Sequence, residues 1–111
     1  MEKNTAPFPA AQAQRLAELV SYAQAAIVSR AIVQAKSGSI TLFAFDAGQA
    51  LSEHTTPFDA LVQVLEGEVE LVIGGQPVRA VEGQTVLMPA NVPHAVNAPK
   101  RFKMLLSMIR G

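Results

Sequence analysis

Two histidines, His54 and His94, nine carboxylates and the hydroxyls are the side chains in this 111-residue, cysteine-free chain to which its chemistry falls. A neutral imidazole nitrogen serves as a general base or as a metal ligand, so the two histidines are the first candidates for either. The absence of cysteine removes disulfides, thiolate metal sites, iron–sulfur clusters and a thiol nucleophile. Ser52, Glu53 and His54 are consecutive, but neighbouring residues on a strand face opposite sides, so they do not form a hydrolase triad. Gly74–Gly75 has no following helix or lysine and reads as a turn, not a phosphate loop. A histidine base would also need a partner acid, and the single tyrosine, Tyr22, lies in the N-terminal segment.

Positioning two imidazoles requires a folded core, and the composition supplies one. Half of the residues are apolar, and a chain of this length buries roughly two-thirds of its unfolded surface, enough for one domain and too little for two. Nine Lys and Arg balance nine Asp and Glu, and a pI near 6.7 leaves no basic footprint for nucleic acid or for a membrane surface. The most apolar stretch, Leu16 to Val33, is broken by Glu18, Gln24 and Arg30 and is unsuited to cross a bilayer. Met1 to Pro9 carries Glu2, Lys3 and two prolines with no apolar run close behind, so no signal peptide is expected and the cytoplasm is the default location.

The chain divides into an N-terminal arm with a short helix, residues 1–25, and a β domain, residues 26–111. Met1 to Pro9 reads as a loosely ordered arm. Leu16, Leu19, Val20 and Ala23 recur at helical spacing, which predicts a short amphipathic helix within Ala10 to Ala25, covering the core. Strands follow: Ala26 to Val33 is rich in β-branched residues and Ile40 to Phe45 is apolar. Val69, Leu71 and Ile73 alternate with glutamates into Gly74–Gly75, whose tolerance of positive φ predicts a hairpin returning through Val78 to Val81. Gln84 to Met88, Ala95–Val96 and Arg101 to Ile109 complete the set. With turn signals every 8 to 12 residues or so, the class is all-β with antiparallel connections and a short N-terminal helix.

The same turns carry a family resemblance. Gly48, His54 and the run Phe58 to Glu68 resemble the first motif of the cupin superfamily. Gly83, Pro89, Ala90, Asn91 and His94 resemble its second motif, in which a glycine turn leads through a proline bend to an inward-facing histidine. The two motifs span Gly48 to Asn97, and the resemblance implies a small single-domain cupin, an RmlC-like jelly-roll barrel. In a metal-binding cupin the first motif contributes two histidines and a glutamate and the second motif one more histidine. Here His54 and His94 stand at ligand positions, while Thr56 replaces the second histidine and Ala60 the glutamate.

The resemblance therefore implies a ligand pocket of His54, Thr56, Val62, Met88 and His94, apolar around its two imidazoles, with His54 and His94 as the metal ligands of an incomplete set. Either no cofactor or a weakly bound divalent Mn, Fe, Ni or Zn ion is implied, because catalytic zinc takes three protein ligands and iron oxygenases two His and a carboxylate. Glu53 and Asp59 have the wrong strand parity to supply that carboxylate unless Pro57 introduces a bulge. Three functions stay open: a barrel that binds a small molecule, a metal-dependent oxygenase or isomerase with a reduced two-His site, and a non-catalytic structural or interaction module. The family also implies a homodimer, for which Leu61, Leu65 and the Met104 to Ile109 run are the expected outward apolar residues. Asp46 to Glu82 holds seven acids and one base, Arg79, whereas Lys100, Arg101, Lys103 and Arg110 close the chain. These charges are either solvated faces or sit side by side, in one sheet or across two subunits.

Overall fold

Alternating apolar and polar residues commit most of the chain to strands, since period-two burial is what a strand offers and a helix does not. The computed structural model describes residues 1–110. Within them run β1 (Glu2–Lys3), β2 (Ile27–Ala35), β3 (Gly38–Phe45), β4 (Ala50–His54), β5 (Asp59–Ile73), β6 (Gln76–Val81), β7 (Thr85–Met88), β8 (His94–Asn97) and β9 (Phe102–Ile109). The hydrogen-bonded order is β1-β2-β3-β9-β5-β8-β4, with β6 and β7 also paired to β5. The result is an all-β barrel built from one curled sheet. Every pairing is antiparallel except that of β1 with β2, which is parallel.

The 15-residue β5 is the hinge of the architecture. Its first half pairs with β7 and β9, and its second half with β6 and β8, so one strand belongs to both walls of the barrel. Gly67 sits where it passes from one wall to the other, at φ 77°, and a Cβ there would collide with the Arg101 carbonyl. The hairpin expected at Gly74–Gly75 is present, with φ of 55° and 81° and Ile73 opposite Gln76.

Two apolar layers lie on opposite sides of the β2-β3-β9-β5 wall. Inside, Phe43, Phe45, Val62, Val64, Val69, Leu71, Phe102 and Met104 form the main core, with Phe45 and Phe102 stacked at 4.6 Å between ring centroids. Outside, Val20, Leu42 and Ala44 are buried under the N-terminal segment with Phe8, Leu16, Leu19 and Tyr22. The expected helix is reduced to a single 3₁₀ turn, Leu16–Glu18. Its apolar residues do cover the core, but Ala11 and Ala25 at positive φ and the sheet beneath draw the segment out into a strap. Tertiary burial outweighs the helical preference of alanine and glutamine here.

The strap is tied down by polar contacts. Arg30, 9% exposed, donates from Nη1 to the Leu19 carbonyl and from Nη2 to the Pro7 carbonyl, both at 3.0 Å, and lies over the Phe8 ring at 5.5 Å. The Tyr22 hydroxyl donates to Glu66 Oε2 at 2.5 Å, and its ring faces Arg101 and Lys103 at 5.0 and 4.9 Å. Burial, and then the bond to Glu66, push the Tyr22 phenol above its ordinary 10.0.

The acidic centre and basic end meet within one chain. Arg101 Nε donates to Asp46 Oδ1 at 2.7 Å, Lys100 Nζ lies 3.2 Å from Glu68, and Arg79 reaches the same glutamate. The Arg101 hydrogen bond, then the Ala25 amide, hold the Asp46 carboxyl below its ordinary 3.8, and Arg79 and Lys100 lower that of Glu68. Among the described residues, no helix is long and apolar enough to cross a membrane.

Candidate functional site

Adjacent antiparallel strands bring the two histidines together. On β4 and β8, Ala50 faces Asn97 and Leu51 faces Val96; the register then shifts, and His54 comes to face His94. Leu51 and His54 are three residues apart and on a regular strand would point to opposite sides. The irregularity between them reverses that parity, so both side chains line the same cavity. The two imidazole centroids lie 4.4 Å apart at 67°, with His94 only 4% exposed and His54 at the open side.

Each ring is anchored through the same nitrogen. His54 Nδ1 lies 2.8 Å from the Ser52 carbonyl and His94 Nδ1 lies 3.1 Å from the Val92 carbonyl. A carbonyl oxygen only accepts, so each neutral ring carries its proton on Nδ1 and donates it. Both Nε2 atoms keep their lone pairs. This is the tautomer in which a metal-bound or basic histidine is held by its backbone.

The cavity has a volume of about 40 Å³. Besides the two histidines its lining is apolar: Leu51, Val96 and Leu106 with Ala60 and the methionines Met88, Met104 and Met108. Ala60 on β5 pairs with Met88 of β7 on one side and Met108 of β9 on the other, so the three side chains form one row across the inner wall. The small Ala60 side chain leaves the space between the two thioethers.

Of the residues expected in a pocket from sequence, His54, Met88 and His94 line this cavity, and Thr56 and Val62 do not. Thr56 Oγ1 is engaged in a local turn, 3.3 Å from both the amide and the carbonyl of Phe58. Val62 lies one inner row deeper, opposite Val86 and Leu106, wholly within the core. Met104 and Met108, expected to point outward, point inward instead: Met104 is 1% exposed, and both line the cavity. Leu65, also expected outward, is covered by the strap. The alternation Met104, Leu106, Met108 carried the inward signal, but only the placement of β9 between β3 and β5 settles its direction.

The donor set does not fit the divalent metals that the family implies. Asp59 Oδ1 accepts the Ala90 amide at 2.8 Å, and Glu53 is exposed on β4. Among the described residues, no three His, Cys, Asp or Glu side chains are grouped as a metal site. Two neutral imidazoles fall one ligand short of catalytic zinc and lack the carboxylate of an iron facial triad. Larger hollows, of about 360 and 560 Å³, lie along the N-terminal strap and contain neither histidine.

Comparison with known proteins agrees with this architecture. The model of the family described as "Cupin domain" matches residues 41–108. A conserved protein of unknown function from Streptococcus pyogenes is 36% identical over 96% of this chain and 94% of its own, with a TM-score of 0.91. A cupin superfamily protein from Desulfitobacterium hafniense is 28% identical over 97% and 99%, with a TM-score of 0.88. A cupin 2 conserved barrel domain protein from Leptotrichia buccalis is 39% identical over 85% of this chain and 46% of its own, with a TM-score of 0.82. No curated protein matches.

Proposed function

Because the chain belongs to the cupin domain family, we propose that its barrel binds a small molecule, recognised by the Nε2 atoms of His54 and His94. The observation that carries this reading is the shared tautomer: both rings spend Nδ1 on a backbone carbonyl and present an unpaired acceptor at one cavity. A ligand suited to two acceptors in an apolar surround offers a hydrogen-bond donor, such as a hydroxyl or ammonium group, on a largely apolar frame.

Size narrows the class. A cavity of about 40 Å³ is far below the several hundred Å³ of a drug-sized pocket, so only a compact group enters and the rest of the ligand lies over the exposed His54. Binding is the reading supported, since no carboxylate or tyrosine lines the cavity beside the two histidines among the described residues. The oxygenase or isomerase alternative rests on a divalent ion for which these residues supply too few ligands.

A thermal-shift screen against small acids, sugars and aromatics tests the proposal. A compound that raises Tm in the wild type and not in His94→Ala or His54→Ala is the expected result. A hit that stabilises both variants equally binds elsewhere and refutes the reading. A screen without hits favours a purely structural or interaction module.

A further inference from the structure

The chain has four methionines; apart from Met1, every one of them lines the cavity that also holds its only two histidines. We propose that this cavity is a copper(I) site, with the Nε2 atoms of His54 and His94 and the thioether sulfurs of Met88 and Met108 as ligands and Met104 closing the cavity beneath them. The assignment rests on the reading above that this pocket is a binding site.

The chemistry of the donors selects the ion. Two neutral nitrogens, two neutral sulfurs and no oxygen ligand form a soft set, and thioethers favour copper(I) over the harder divalent ions. Charge points the same way. A dication buried among apolar side chains with no anionic ligand bears a desolvation cost that a polarisable monocation bears far less of.

Placement makes the donors available together. The sheet register sets Met88 and Met108 on either side of Ala60, a residue too small to fill the gap between them. Two imidazoles sharing one tetrahedral ion through Nε2 hold their centroids about 5 Å apart, given metal–nitrogen distances near 2.0 Å. The observed 4.4 Å is therefore within a small side-chain adjustment of a chelating pair. The backbone anchors on Nδ1 fix both rings in the ligating tautomer before any ion arrives.

Methionine is also a filler of irregular cores, and that explanation makes a different prediction. Metal-free protein is titrated anaerobically with copper(I) in competition with bicinchoninate, and the copper edge X-ray absorption of the product is recorded. One equivalent bound, with both nitrogen and sulfur scatterers, is expected. Replacing Met88 and Met108 together by leucine conserves volume, and it should weaken copper(I) by more than about tenfold, the lower end of what even an outer-shell partner is worth. His94→Ala should abolish the tight site.

Failure to compete with bicinchoninate, or a copper environment without sulfur in the wild type, overturns the proposal without reliance on any variant. Unchanged affinity in the folded double leucine variant overturns it as well. An organic ligand that stabilises metal-free wild type in a His94-dependent way, alongside no copper uptake, overturns the copper assignment and leaves the pocket reading standing. Copper uptake that survives His94→Ala overturns the site itself.

Discussion

Replacing Arg30 by methionine tests whether the N-terminal strap is held by a buried cation. Among the described residues the guanidinium has no carboxylate partner; its two hydrogen bonds end on the carbonyls of Pro7 and Leu19, at opposite ends of the strap, and Nε is buried without a partner. Bonds to a charged donor are worth about 1.5–3 kcal/mol each, so the clasp contributes about 3–6 kcal/mol. Removing the unsatisfied Nε returns about 1–3 kcal/mol, and methionine keeps contact with Phe8 and the sheet. The net loss is about 2–3 kcal/mol, or roughly 8–12 °C in Tm at about 4 °C per kcal/mol for a domain of this size. The loss should be local first: amide exchange and proteolysis should reveal residues 5–20 opening before the barrel does. A variant with unchanged Tm and an equally protected strap would refute the clasp, and would mean that the desolvation of the cation cancels its bonds, as occurs for some buried ions.

Other consequences follow from single contacts. Gly67→Ala forces a side chain into positive φ against the Arg101 carbonyl and should cost more than about 2 kcal/mol in denaturant unfolding; a loss below about 0.5 kcal/mol would mean that β5 does not need its crossing. Tyr22 is the sole tyrosine in a chain without tryptophan, so its phenolate absorbance reads one group. Its folded value is raised by burial first and by Glu66 second, so the stability it contributes is present below pH 10 and lost as pH rises beyond it. Ionisation of Tyr22 at 10.0 in folded protein would contradict the bond to Glu66. Asp46 and Glu68 are shifted the other way, so their contribution is present above the ordinary carboxylate range and lost as pH falls through their lowered values; Arg101→Gln should flatten the acid limb of a Tm–pH profile. Leu87, Leu61, Ile40 and Val33 share an outward row with Ser107 that the strap leaves uncovered, and in a homodimer built on it light scattering gives a mass near twice 11.8 kDa. A monomer at micromolar concentration removes that assembly.

The residues by themselves determined the class of fold and the identity of the two imidazoles. Alternating patterns and paired glycines depend on neighbours one or two positions away, so β3, the Gly74–Gly75 hairpin and β9 are local statements that a sequence can make. The motif spacing around Gly48 and Gly83 did the same for His54 and His94. What no local pattern contains is parity across an irregularity or the face to which an amphipathic segment turns. The register shift between Leu51 and His54 puts residues of opposite parity in one cavity. Met104 and Met108 enter it because β9 lies beside β5. The alanine-rich segment shows the same limit: its apolar spacing fits a helix, yet burial against Leu42 and Ala44 and the pull of Arg30 make it a strap. The tertiary structure alone decided these points, because each depends on contacts between residues far apart in the chain whose energies exceed the local preference.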